Sequence, residues 1–211
     1  KIYIMIKRLL FTFSLCFIIG TLFSQRSSSG SNFKGGVRAG FTSSQISGDD
    51  LAGFHKFGAY AGGYVNFPIT ENMKWKIQPE INFIMKGSHT YETKDYVAPN
   101  IYALNLWYME VPVLIKWDFF KGFGLEFGPT FNVLIYQAEK DANGIMMSRQ
   151  PFRWYELSVV IGINYLIKEH YGINLRWSSS FIPVRVPDFV YNRAVKKQFN
   201  DVIAFSLYYQ F

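Results

Sequence analysis

The chain has 211 residues, of which 49% are hydrophobic and 19% are aromatic, and its formal net charge is +7. This composition is far from that of a disordered segment and suffices for one domain with a substantial core. The single cysteine is Cys16, so the chain beyond it can form neither a disulfide nor a thiol site. No nucleic-acid-binding motif is present, and we expect no nucleic-acid partner.

The first 24 residues have the layout of a secretory signal peptide. A short basic start, Met5 to Arg8, precedes an apolar run, Leu9 to Phe23, and then a segment rich in serine and glycine. The apolar run is shorter than a membrane-spanning helix requires. Removal of residues 1–24 would take away three bases and no acid, leaving a net charge of +4. We predict a signal peptide over residues 1–24, a flexible linker over 25–32 and a single domain over 33–211.

Eight segments of alternating apolar and polar residues follow along the chain. In the clearest of them, the apolar Trp75 and Ile81 occupy odd-numbered positions, while the charged Lys76 and Glu80 occupy even-numbered ones. We call each such set of alternate positions a parity. A period of two predicts a β-strand with one apolar and one polar face. The predicted strands are Phe33–Thr42, Phe57–Phe67, Met73–Gly87, Ile101–Trp117, Phe123–Tyr136, Trp154–Ile167, Tyr171–Phe181 and residues 201–211.

The connections between these strands alternate in length, being long and polar after odd-numbered strands and short after even-numbered ones. An even number of strands joined in this way is typical of a transmembrane barrel. Closure of the sheet also leaves no free N–H or C=O groups facing hydrocarbon, which offers them no partner. The sequence therefore predicts an all-β fold, an eight-stranded antiparallel up-and-down transmembrane β-barrel in the bacterial outer membrane, with its short turns in the periplasm.

The alternation alone also fits a soluble lipocalin-like carrier, in which the apolar parity would line the interior. Bulky aromatic residues on that parity favour the membrane barrel, because such residues form girdles at both membrane interfaces. The predicted interface aromatics are Trp75, Trp107, Trp117, Tyr171 and Trp177. The other parity then faces the lumen, with a predicted charge network of Arg38, Lys76, Glu80, Lys86, Glu110, Lys116, Glu126, Glu156 and Arg176.

Two interpretations of the lumenal charges are open. With Lys34 and Lys74 included, seven bases face four acids, which would suit a narrow, anion-selective channel for ions or small solutes. The alternative is a filled interior with paired charges, since eight strands leave room for little beyond their own side chains. We favour the filled interior and expect the four glutamates to accept from Lys76, Lys86, Lys116 and Arg176.

Three prolines, Pro79, Pro112 and Pro129, fall inside three consecutive predicted strands. Each lacks a backbone N–H and removes one donor from the ladder. We predict a bulge or a local break in register beside each of them.

Residues that could support catalysis are scattered. His55 and His89 fall in or beside long loops, whereas His170 falls in a short turn at the other side, so the three cannot share a site. No nucleophile, base and orienting acid converge by spacing. We expect a non-enzymatic protein without a catalytic, cofactor or metal site. The last loop is basic and could contact lipopolysaccharide phosphates through Arg185, Arg193, Lys196 and Lys197.

Five segments together resemble a known family. They are GVRAGF (Gly36–Phe41), IQPEINFIMKG (Ile77–Gly87), YMEVPVLIKW (Tyr108–Trp117), GFGLEFGPTFNVLI (Gly122–Ile135) and LYYQF (Leu207–Phe211). With them the chain is similar to the PorT-like outer membrane β-barrel family of Bacteroidota. The resemblance implies an eight-stranded outer membrane barrel and, for the family's namesake, a part in type IX protein secretion. The fold carries over better than the role.

These observations predict a structural or accessory component of an envelope complex. Its expected partners are outer membrane lipid, lipopolysaccharide, the barrel assembly machinery and other envelope or secretion proteins. The C-terminal residues Leu207, Tyr209 and Phe211 are expected to be the signal that the assembly machinery reads.

Overall fold

A computed structural model describes residues 33–47, 53–89, 103–141, 144–145, 152–185 and 197–211. The predicted signal peptide over residues 1–24 and the linker over 25–32 lie outside these ranges. Within them, no helix is long and apolar enough to cross a membrane.

The period-two segments of the sequence form long β-strands. The strands of the described chain are β1 (Lys34–Ser47), β2 (Lys56–Pro68), β3 (Trp75–His89), β4 (Ala103–Phe120), β5 (Phe123–Asp141), β6 (Gly144–Ile145), β7 (Tyr155–Leu166), β8 (Tyr171–Ser180) and β9 (Phe199–Gln210). Eight of them correspond one to one to the predicted strands. The ninth, β6, is a two-residue addition that pairs with the end of β5.

The eight long strands close into a barrel. Their order is β4-β3-β2-β1-β9-β8-β7-β5, β4 also pairs with β5, and all neighbours are antiparallel. The predicted eight-stranded antiparallel barrel is therefore confirmed. The short connections β2–β3, β4–β5 and β7–β8 lie at one end, here called the turn end. The longer connections lie at the opposite end, the loop end.

The two faces of the wall have opposite polarity. Along β8, for example, alternate residues are buried, among them Asn174 and Arg176, while Leu175 and Trp177 between them are about half exposed. A soluble carrier would bury the apolar parity and expose the polar one. The inverted distribution suits a wall between a polar lumen and hydrocarbon, and it rules out the lipocalin-like alternative.

The predicted bulges at the three prolines are wrong. Each proline keeps an unshifted pair on one neighbouring strand: Pro79 with Val113, Pro112 with Thr130 and Pro129 with Val159. The ladders lack pairs only on the other side, toward the preceding strand. In a closed barrel each strand is held from both sides, so one missing donor leaves a gap without displacing the register.

A register shift lies instead between Trp107 and Tyr108, where β5 has one residue more than β4. An extra residue inverts the parity of everything beyond it. Tyr136, predicted to face the lumen, therefore faces outward: it is 46% exposed and its ring lies 4.5 Å from that of Trp107.

Candidate functional site

The polar parity of the wall places a network of charged side chains inside the barrel. Eight of the nine predicted network residues are buried, and the ninth, Lys76, has a side chain that is 18% exposed. The network divides into three clusters, which follow one another from the turn end toward the loop end.

The central cluster joins two arginines to two glutamates on four different strands. Arg176 donates from both terminal nitrogens to Glu80, at 2.7 Å each, and from Nε to Glu126. Arg38 donates to Glu80 at 3.0 Å, and the Tyr60 hydroxyl accepts from Arg176 at 2.8 Å. Forked, charge-assisted contacts of this kind are among the strongest hydrogen bonds in proteins. The cluster is electrically neutral.

Buried amides complete this cluster. Asn82 donates to Glu80 and Asn174 donates to Glu126, both at 2.8 Å, and Gln78 donates to Glu80 at 2.5 Å. A buried ion cluster is stable only when its remaining lone pairs are also satisfied. Sequence reasoning missed these amides, although they share the parity of the glutamates that they serve.

The second cluster lies closer to the loop end. The Lys86 ammonium is 3.0 Å from a carboxylate oxygen of Glu110 and 2.9 Å from one of Glu156. One base therefore faces two acids, and the local charge is −1. Three neutral groups donate hydrogen bonds to Glu156 and so help to stabilise this excess negative charge: Asn132, Ser158 and Asn200.

The third cluster lies at the turn end and corrects the predicted pairing. Lys76 and Lys116 do not bond glutamates: Asp118 lies 2.5 Å from the Lys76 ammonium and 3.9 Å from that of Lys116. Glu126, which stands opposite Lys116 across the β4–β5 ladder, bonds Arg176 instead. The sequence prediction missed Asp118 because it ended the strand at Trp117, whereas β4 continues to Phe120. This cluster carries a charge of +1.

Taken together, the three charged clusters of the described lumen are neutral. Lys34 and Lys74, counted as lumenal from their parity, are exposed at the turn end, and Asp118 adds an acid. Five bases therefore face five acids: Arg38, Lys76, Lys86, Lys116 and Arg176 against Glu80, Glu110, Asp118, Glu126 and Glu156. The excess of positive charge that suggested an anion-selective path is absent from these clusters.

An apolar cluster fills the loop end of the barrel, and we call it the plug. It combines inward-facing strand residues with loop residues that fold back over them: Ile46, Leu104, Leu106, Val202, Phe152 and Val184. The two loop segments are joined by a backbone hydrogen bond of 2.9 Å from Arg153 to Val184. Arg185 lies over the ring of Phe152 and pairs with Glu139 at 2.7 Å. The plug separates the charged lumen from this end of the barrel.

A small cavity lies among the charged groups at the centre of the lumen. A cavity of about 10 Å³ for the centre of a water-sized sphere lies between Tyr60, Glu110 and Arg176. That is room for about one water molecule. The described lumen is thus a packed interior at its centre.

The outer face carries the predicted aromatic residues. Trp75 stacks on Trp117 at the turn end, with ring centroids 5.4 Å apart, and Tyr171 meets Tyr209 there at 5.1 Å. Trp107 lies toward the loop end. Trp177 faces outward three residues before the end of β8. Aromatic residues at both ends of a lipid-facing wall suit the two membrane interfaces.

The C-terminal residues predicted as an assembly signal lie on the same outer face. Leu207 is 59% exposed, and the ring of Tyr209 contacts that of Phe211 at 5.7 Å. Of the basic loop residues, Arg185 is paired as described, Lys197 is exposed, and Arg193 and Lys196 lie outside the described residues.

The three histidines do not lie together in the fold. His55 precedes β2 and His89 ends β3, both at the loop end, whereas His170 lies in the turn before β8. In the described ranges, no group of three or more His, Cys, Asp or Glu residues is placed to hold a metal ion.

A closed β-barrel with a polar, packed lumen and an apolar outer face defines a small outer membrane barrel protein. A family model described as "Outer membrane protein beta-barrel domain" matches residues 23–185. The chain belongs to this family, and it is a protein of the bacterial outer membrane. A comparison with curated proteins gave no match.

The chain is also similar to several solved structures. Neisserial surface protein A covers 87% of this chain and 100% of its own, with 10% identity and a TM-score of 0.51. Ail of Yersinia pestis covers 85% and 99%, with 11% identity and a TM-score of 0.49. OprG of Pseudomonas aeruginosa covers 87% and 98%, with 12% identity and a TM-score of 0.41. At these identities the likeness to Neisserial surface protein A concerns the fold alone.

Proposed function

We propose that this outer membrane barrel is a non-enzymatic structural or accessory component of an envelope complex, and that it acts through its two ends. The observation that carries the proposal is the packed lumen, in which five bases and five acids balance beneath an apolar plug. An interior of this kind holds the wall rigid and leaves no wide path for solutes. Lipid covers the outer belt, so the rims remain for protein contacts.

The finer proposal concerns the complex itself. The five segments that resemble PorT-like barrels of Bacteroidota support type IX protein secretion as the system in which this barrel takes part. Exposed bases at the turn end offer contacts to a periplasmic component: Lys34, Lys74, Lys121 and Lys168.

Two further partners belong to this proposal. Lys140 and Lys197 are exposed at the loop end, and we propose that they contact lipopolysaccharide phosphates. The outward-facing C-terminal residues Leu207, Tyr209 and Phe211 are proposed to be read by the barrel assembly machinery.

Photo-crosslinking in living cells tests this function. A photo-reactive residue replaces Lys121 or Lys168 at the turn end, Lys140 or Lys197 at the loop end, or Leu175 on the lipid face as the control. We expect both positions of one end to capture the same protein, and position 175 to capture none. A secretion component as the captured protein would support the finer proposal, and a protein of another envelope system would contradict it. Folded barrels that capture nothing at either end would contradict the main proposal.

A narrow channel is the second candidate, and one observation favours it. The exposed fraction of the charged side chains rises from 1% at Glu126 to 33% at Asp118, so water reaches the turn end of the lumen. Single-channel recording in planar bilayers tests this candidate. Discrete conductance steps, with Lys116→Glu shifting the selectivity toward cations, would establish a channel. A Lys116→Glu protein that only gives a lower folded yield would support the packed lumen.

A further inference from the structure

The turn end of the lumen forms a vestibule that water reaches. Side-chain exposure there is 33% for Asp118, 18% for Lys76 and 8% for Lys116. At the opposite end, the plug buries its strand residues Ile46 and Leu104 almost completely. A small solute that enters this lumen therefore comes from the turn end, which faces the periplasm in outer membrane barrels.

The vestibule carries one positive charge without a bonded acid. Asp118 is the carboxylate between two ammonium groups, and it bonds Lys76 at 2.5 Å while it stays 3.9 Å from Lys116. At 3.9 Å the second contact is beyond hydrogen-bond range. Instead, the Lys116 ammonium lies 5.7 Å from the centre of the Tyr208 ring. Lys116 thus crosses the lumen from β4 toward β9 and ends near an aromatic face.

Three hydrogen-bond donors without a protein acceptor lie in the same part of the lumen, beside Tyr208 and Asp118. The hydroxyls of Tyr64 and Tyr208 and the amide nitrogen of Asn164 have no hydrogen-bond partner among the protein atoms. All three residues are buried, with at most 6% exposure. Buried donors without an acceptor are strongly unfavourable. The rings of the two tyrosines meet edge to face at 6.1 Å, so their hydroxyls belong to one region of the wall.

Glycines on neighbouring strands provide the room that these side chains occupy at the wall. A Cβ on Gly36 would meet Tyr64, and a Cβ on Gly172 would meet Tyr208, each within 2.5 Å. The tyrosines therefore lie flat against the glycines of neighbouring strands. Gly124, in the same layer, is covered by Asp118 and by its cross-strand partner Asn164.

We propose that this vestibule binds a carboxylate group that enters from the turn end, with Lys116 as its cationic partner. The hydroxyl of Tyr208 and the amide of Asn164 supply neutral donors beside it. A carboxylate matches the single uncompensated charge, and the contact between Asp118 and Lys76 shows that this layer accommodates one. The site stands independently of the envelope-complex proposal, because it requires only the folded barrel.

Acetate binding to the folded full-length barrel in detergent micelles tests the site. Saturation-transfer NMR of the acetate methyl protons measures the affinity. We expect Lys116→Met to weaken binding about tenfold or more, because it removes the charge-assisted contact. Lys121→Met is the matched control: it removes an exposed lysine at the same end, outside the lumen, and should leave the affinity unchanged. Equal affinity of the Lys116→Met and wild-type proteins would overturn the proposal.

Asp118→Asn supplies a second test, in which acetate affinity should rise instead of fall. This test does not depend on whether Lys116→Met folds. The substitution removes the competing internal carboxylate and should tighten acetate binding about threefold or more. Unchanged or weaker binding by this variant would overturn the proposal, as would the absence of binding in both this variant and the wild type. N-acetyl-triglycine and its C-terminal amide identify the source: binding of the acid alone points to peptide chain ends, and binding of acetate without either peptide points to small acids.

Discussion

The two ends of the lumen differ in how closely a buried ammonium group is paired with carboxylates. Near the plug, the fully buried Lys86 has two carboxylates within 3.0 Å. At the turn end, Lys116 has one carboxylate, at 3.9 Å, although its side chain is only 8% exposed. A charge shut away from water is stable only with close partners, whereas a charge that water reaches can tolerate an incomplete pairing.

This difference indicates where the molecule can change without loss of the fold. The sealed clusters act as internal braces between strands that are not neighbours, since Arg176 on β8 bonds acids on β3 and β5. The turn-end cluster joins side chains of the adjacent strands β3 and β4 alone. We therefore expect substitutions to weaken the barrel less and less from the central cluster to the turn end and the outer face.

Removal of Arg176 is expected to have the largest effect. Arg176→Met leaves two buried carboxylates without their main partner and should lower the free energy of unfolding by about 3–5 kcal/mol. Urea titration in lipid vesicles, followed by the heat-modifiable shift in gel migration, measures the change. Lys34→Met, at an exposed lysine, is the control and should have no effect. Addition of Glu80→Gln and Glu126→Gln to Arg176→Met should restore part of the loss. An unchanged urea midpoint for Arg176→Met would contradict the bracing role.

Truncation of the plug should come next. Leu106 has no exposed surface, and Leu106→Ala should destabilise the barrel by about 2–5 kcal/mol through a cavity and lost contacts. The same urea titration measures this change. Leu207→Ala on the lipid face is the matched comparison and should cost less, because its surroundings can refill with lipid. Equal losses for the two leucines would show that the loop end is not a packed core.

Asp118→Asn should have a smaller effect. The Asp118 side chain is one-third exposed, and ion pairs that reach solvent contribute about 0–1 kcal/mol. We expect the free energy of unfolding to fall by about 1 kcal/mol or less in the urea titration. A loss as large as that of Arg176→Met would mean that both ends of the lumen are equally intolerant of an unpaired charge.

The smallest expected effect lies on the outer face. Trp75 and Trp117 stack with their planes 11° apart, and such pairs contribute about 0.5–1.5 kcal/mol beyond the area that they bury. A double-mutant cycle of Trp75→Ala and Trp117→Ala should give a coupling energy in this range. The same cycle for Trp75 and Trp177, on strands that do not touch, should give none. Equal coupling in the two cycles would exclude direct stacking as its source.

The fold was predictable because its signal is local. Alternation with a period of two can be counted within one strand, and the turns that separate strands are equally local. The same counting selected the residues expected to face the lumen, and eight of the nine network residues are buried.

The pairings were not predictable, because they depend on the reach of side chains across a closed barrel. Glu126 stands opposite Lys116 on the adjacent strand yet bonds Arg176 from two strands away. The one-residue insertion in β5 turned Tyr136 outward, and no residue type marked it in advance. Phe152 and Val184 lie in connections, where periodicity says nothing about burial. Asp118 was within reach of sequence reasoning, since its parity matches that of Lys116.

The pairing of β1 with β9 has a consequence for biogenesis. The ladder runs without interruption from the pair Gly36–Gln210 to the pair Ser47–Phe199, residues that lie at opposite ends of the barrel sequence. Before β9 has paired, the edges of β1 and β8 carry free backbone N–H and C=O groups, which find no hydrogen-bond partner in hydrocarbon. Contacts between such distant segments also form late and slowly. The sheet therefore closes only after the final strand has paired with β1. Substitutions along this seam should delay maturation even where they leave the finished barrel equally stable.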